Sequence, residues 1–169
     1  MIFTRPVAPT VVAVNETLAA ELIALGEADL DLAQKAMHTE DVALQQAWRR
    51  LTTAHADRLT EIVDAVGWPG ADLVGAEAAY AAWKIAQHAD RQLDVQRRAL
   101  ALITASPDPG VGAREIAMLR DRVLVNEGRN QLYGTQVAGV VDGKPVLWPC
   151  EDPAGLAERR AKAGLPRMR

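Results

Sequence analysis

Apolar residues return every three or four positions along most of this chain, and the interruptions in that rhythm divide it into elements. Leu18, Leu22, Leu25 and Ala28 or Asp29 follow Asn15 at helical spacing, which predicts a helix capped by Asn15 and running to about residue 37. Thr39, Glu40 and Asp41 open a second series, Leu44, Trp48, Leu51, Leu59, Ile62 and Val66, which Gly67 and Pro69 stop. After Gly75 a third helix is predicted over about 76–90, and Leu93, Gln96, Leu100 and Ile103 continue the period beyond it. Ser106-Pro107-Asp108-Pro109-Gly110 is a linker, and a helix over about 113–127 ends at Gly128. The texture then changes: 132–141 and 144–148 read as strands around Asp142-Gly143, a dipeptide suited to a two-residue hairpin turn. Asp152-Pro153 starts a last helix that Gly164 closes. Pro6, Pro9 and the valines around them suit an extended arm over 1–14. The expected architecture is mainly α: one helical-bundle domain over 15–169 with one small β-hairpin near the C-terminus.

Composition sharpens this. The chain has 169 residues, which suits one domain, and its 49% apolar share is dominated by alanine with only 4% aromatic residues, a helix-favouring mixture. A net charge of −3 gives no electrostatic footprint for nucleic acid or an anionic membrane. No apolar run reaches the ~18 residues of a membrane span, and the first residues do not read as a secretory signal. With Cys150 as its single cysteine the chain has no disulfide framework, and a cytoplasmic location is the expectation. A homodimer is left open.

Candidate chemistry concentrates where the third helix ends, in Trp83-Lys84-Ile85-Ala86-Gln87-His88-Ala89-Asp90. On a regular helix His88 and Asp90 lie about 200° apart, so they share a pocket only if the helix ends between them. A carboxylate at a helix C-terminus is opposed by the macrodipole, so Asp90 needs a partner: it either caps a following helix from Arg91 or orients a catalytic group. Asp121 sits within the apolar stripe of Ala117, Met118, Leu124 and Val125, where burying it alone would cost several kcal/mol. Arg122 points about 100° away from it, so the expected partner is another arginine or a donor such as Gln136 or Tyr133. His55, on the apolar stripe of the second helix, reads either as a core residue with one hydrogen bond or as part of a site. Glu151 reads as a solvated acid beside a helix start that could hold an anion. The three histidines, His38, His55 and His88, come with no HExxH, ExxH or CxxC spacing, so no metal is expected. Walker, GxGxxG and GxSxG motifs are absent too, and no cofactor is expected. Cys150 could act as a nucleophile only if a histidine met it in space.

Taken in order, Gly67-Trp68-Pro69, Val74-Gly75, Ala81-Ala82-Trp83, Gln87-His88-Ala89-Asp90, Asp121-Arg122-Val123, Tyr133-Gly134-Thr135-Gln136, Glu151-Asp152-Pro153 and Arg159-Arg160 resemble a bacterial domain family of unknown function, over about 41–165. The resemblance implies a common fold and no activity. The family pattern has asparagine where His55 stands and an Asp-Pro helix start where Gln92-Leu93 stands; losing that breaker weakens the reading of Asp90 as a cap.

The functional expectation is a cofactor-independent acid–base enzyme acting on a small polar metabolite. His88 would carry the proton, Asp90 or Asp121 would orient it, and Arg122 and Gln136 would hold an anionic or carbonyl group. Tyr133, Gln87, Trp83, His55 and Glu151 complete the expected substrate surroundings. The rivals are a non-catalytic binding or regulatory module with a buried polar network, and a metal-dependent enzyme built on histidine and carboxylates.

Overall fold

A computed structural model describes residues 13–37 and 39–168; the arm expected over 1–14 lies almost wholly outside the described residues, as does His38. Helix α1 (Glu16–Met37) starts where the Asn15 side chain accepts the Leu18 amide at 3.1 Å. Helix α2 (Val42–Val66) is capped by Asp41, which accepts the amides of Ala43 and Leu44. It stops at Gly67, whose φ of 78° an L side chain rarely adopts. A single turn, α3 (Ala71–Val74), follows. Four residues are too few to display a hydrophobic period, which is why the sequence pattern passes over it.

Helix α4 (Ala76–Gln87) is three residues shorter than the sequence predicts, since His88 already leaves helical geometry at φ −93°, ψ 2°. Helix α5 (Leu93–Ala105) begins after Gln92, so Asp90 does not cap it. Helix α6 (Ala113–Asn126) leads into the hairpin of β1 (Val137–Val141) and β2 (Lys144–Leu147), antiparallel about Asp142-Gly143. The first strand starts later than the alternation suggests, because 131–136 is a loop held by side chains instead of a ladder. A 3-10 turn (Pro153–Gly155) and α7 (Leu156–Lys162) complete the mainly helical fold among the described residues.

The core is organised around α4, whose Ala78, Ala79, Ala82 and Ala86 are almost completely buried. Small side chains let neighbouring helices approach closely: a Cβ on Gly26 of α1 would come within 3.0 Å of the Ala81 Cβ. Leu22, Leu59, Ile85, Ile103 and Leu119, from α1, α2, α4, α5 and α6, fill the space around this helix. Burial of such side chains stabilises the fold by about 1.5–3 kcal/mol each. Both buried tryptophans find acceptors: Trp68 donates to the Pro109 carbonyl at 3.1 Å and Trp83 to the Glu115 carbonyl at 3.0 Å. The linker before α6 is thereby drawn onto the core, and Gly110 lies so close to α4 that an added Cβ would stand 2.2 Å from that of Ala79.

Gly110 also has a φ of +74°, so Gly110→Ala adds backbone strain to the overlap. The expected loss of stability is about 2–4 kcal/mol, read from the denaturant midpoint of the purified variant; a midpoint equal to wild type would contradict this packing.

Candidate functional site

Asp29 lies on the inner face of α1 with its side chain 1% exposed. Two donors from other helices reach it: Trp48 Nε1 of α2 at 3.0 Å, and His88 Nδ1 at the end of α4. The ending of α4 at Gln87 turns the His88 ring toward α1, and the Trp48 indole meets it edge-on with centroids 5.8 Å apart. The His88 side chain remains 25% exposed, and its Nε2 has no partner among the described residues. Burial pushes the Asp29 carboxyl up, but the His88 hydrogen bond and charge and the Trp48 hydrogen bond hold it below the usual carboxylate range. His55 is buried close by, and its Nδ1 is an unpartnered buried atom among the described residues. Burial pushes the His55 pKa down, against the attraction of Asp29, so the ring is held neutral.

Asp90 belongs to a different cluster. Arg122 of α6 grips it with two hydrogen bonds, Nε at 2.7 Å and Nη2 at 2.5 Å, and Asn126 donates to it at 3.0 Å. Gln96 adds a longer hydrogen bond and in turn accepts from Asn126 at 2.8 Å. Burial opposes the Asp90 charge, and the paired guanidinium outweighs it, holding the carboxyl below its ordinary range. The remaining Arg122 nitrogen used here donates to Gln136 Oε1 at 2.9 Å. Arg122 and Gln136 therefore hold each other and Asp90.

Asp121 is fully buried and receives the backbone amides of Leu132, Tyr133 and Thr135 together with the Thr135 hydroxyl. Of the expected partners, another arginine or a donor such as Gln136 or Tyr133, it is Tyr133 that donates, through its backbone amide, beside those of Leu132 and Thr135. It is Asp29, and neither Asp90 nor Asp121, that accepts from His88. The same loop is stitched further: within it Gln131 donates to the carbonyls of Gln136 and Trp148, and from α7 Arg160 donates to that of Tyr133 at 2.5 Å. Glu151 is exposed at this end, where its carbonyl accepts from Arg159 at 2.6 Å. Burial, with Asp121 nearby, pushes the Cys150 thiol up despite Arg159 and Arg160, which favours the unreactive protonated form. Trp83 and Gln87 are core residues of α4, and Gln87 Oε1 is buried with no partner among the described residues.

A family model described as a family of unknown function (DUF6624) matches residues 16–169. The chain belongs to this family. No curated protein and no solved structure matches it. The DUF6624 match takes in α1, and so Asp29, which lies before the stretch covered by the motifs of the sequence reading.

In this DUF6624 chain most of the candidate residues thus separate into three groups. His88 and His55 gather on Asp29 and Trp48, two residues the sequence reading did not select. Asp90, Arg122 and Gln136 form a closed network with Gln96 and Asn126, while Asp121 and Tyr133 anchor a loop. A signal for Asp29 was present, since an acid on the apolar stripe of α1 raises the question that Asp121 raises on α6. Among the described residues no group of three or more His, Cys, Asp and Glu side chains is arranged to hold a metal ion, and no helix is long and apolar enough to cross a membrane.

The lowered His55 pKa has a consequence for stability. Below about 6.5 the unfolded imidazole takes up a proton that the buried ring refuses, so stability declines with acidification from that pH down to the folded-state value. Urea midpoints at pH 7.5 and 5.5 should differ more for the wild type than for His55→Asn, which lacks the titrating ring; equal differences would contradict the assignment.

Proposed function

We propose that this protein is a cofactor-independent acid–base enzyme for a small polar metabolite, with His88 as the proton carrier and Asp29 as its positioning residue. One observation supports this reading above others: the buried Asp29 carboxylate holds His88 Nδ1–H, which leaves Nε2 of a partly exposed imidazole to exchange a proton with a bound molecule. A carboxylate so placed fixes the tautomer and ring orientation and stabilises the imidazolium when Nε2 takes up a proton, as in other catalytic carboxylate–histidine pairs. Trp48 strengthens the arrangement by occupying a second lone pair of Asp29 with a donor that cannot lose its proton at ordinary pH. The bond scheme requires no metal or redox group: a proton leaves a carbon or heteroatom of the metabolite for Nε2 and returns to another atom. The single thiol of Cys150 suits a reducing compartment such as the cytoplasm.

The alternative is a binding module, favoured by the saturated hydrogen bonding of Asp121 and Asp90, a property of scaffolding networks. The two readings separate in one experiment. A panel of small polar metabolites is incubated with the protein in deuterium oxide and followed by mass spectrometry for conversion or deuterium uptake. The expected result is action on at least one compound, with kcat reduced about 100-fold or more in His88→Gln while folding persists. Asp29→Asn should lower kcat with little change in KM. Undiminished turnover by His88→Gln would overturn the acid–base reading. Absence of any reaction, with both variants strongly destabilised, would favour the binding module.

A further inference from the structure

Arg122 is occupied, so the cations free to meet an anionic ligand lie elsewhere. A groove of about 480 Å³ runs along the outer face of α2 and the turn between α4 and α5, lined by Arg49, Arg50 and Arg91 with Gln46, Thr53 and Asp57. Its volume falls within the ~300–1,000 Å³ typical of small-molecule sites. Arg58, Arg97, Arg98, Arg122, Arg129 and Arg159 each pair with a carboxylate. Arg49, Arg50 and Arg91 pair with none among the described residues. The carboxylate lining the groove, Asp57, is already engaged by the Gln92 side-chain amide at 2.5 Å. Three guanidinium groups therefore line one concavity with a single carboxylate and form no ion pair with it, which leaves the groove an excess of positive charge on a chain whose net charge is −3.

We propose that this groove binds a phosphate-bearing small metabolite through Arg49, Arg50 and Arg91. Guanidinium groups present planar forks of N–H donors that match phosphate oxygens two at a time, and a phosphate or diphosphate has oxygens enough to engage forks from more than one direction. Arg49 and Arg50 are consecutive on α2, while Arg91 comes from the turn after α4, so the ligand would bridge two elements. A nucleic-acid backbone would need an extended basic track, and three arginines on a chain of net charge −3 do not make one. The groove is open, so binding is expected to weaken as ionic strength rises. The inference does not depend on the proton-carrying role of His88. The two features are nonetheless neighbours in the chain, Arg49 following Trp48 and Arg91 lying three residues after His88.

The test is calorimetric titration of the full chain at low salt with pyrophosphate, with citrate as a polycarboxylate comparison. The expected result is saturable binding of pyrophosphate, tighter than that of citrate, weakened about tenfold or more in each of Arg50→Gln and Arg91→Gln. Arg114→Gln, an exposed arginine of α6 outside the groove, should bind like the wild type. All three positions are exposed, so the variants are expected to fold, which melting curves check. Failure of pyrophosphate to saturate at millimolar concentration would overturn the proposal. So would wild-type affinity in either groove variant, an equal loss in Arg114→Gln, or citrate binding as tightly as pyrophosphate.

Discussion

A carboxylate sealed inside a helical bundle imposes its requirements on everything around it. Asp29 has almost no contact with solvent, and an ionised group in that position is tolerable only if donors are brought to it. The donors come from two further helices: Trp48 from α2, and His88 from the end of α4. The register of α1 against α2 and α4 is thus tied to one side chain, and the early ending of α4 is part of the same arrangement. Had the helix continued through Asp90, the imidazole would have been carried along the helix surface instead of being released at its end.

Three buried or half-buried carboxylates in this molecule are satisfied in three different ways, and the differences decide what each can do. Asp121 is surrounded by backbone amides and a hydroxyl, groups that do not ionise at ordinary pH, so it fastens the 131–136 loop to α6. Asp90 is held by a guanidinium that is itself held by Gln136, a chain of charge-assisted bonds. Asp29 alone of these is paired with a group that can gain and lose a proton and whose other nitrogen is uncommitted. Neutral His55, buried beside the pair, adds a second imidazole without adding charge.

The helices were legible because their apolar periods are long and their ends marked: Asn15 caps as read, Asp41 proves to be the cap within the Thr39-Glu40-Asp41 opening, and Gly67 stops α2. The four-residue α3 was not, since one turn carries no period, and the end of α4 was misread because the apolar rhythm runs on into Leu93 and Gln96. Polar clustering at that end was visible, whereas its partner was not. Asp29 stands 59 residues before His88, and no local pattern links them. Chain-local reasoning therefore offered Asp90 or Asp121 as the partner of His88, the first only if the helix ended between the two residues. Asp121 was recognised as anomalous from its apolar neighbours, but backbone donors from a loop leave no trace in residue types.

The claim on which this account rests is that Asp29 fixes the tautomer of His88. Long-range proton–nitrogen correlation NMR of the neutral imidazole measures it directly, by showing which ring nitrogen carries the hydrogen. A proton on Nδ1 and a bare Nε2 is expected, opposite to the preference of histidine free in water. A His88 ring protonated at Nε2 and bare at Nδ1 would contradict it.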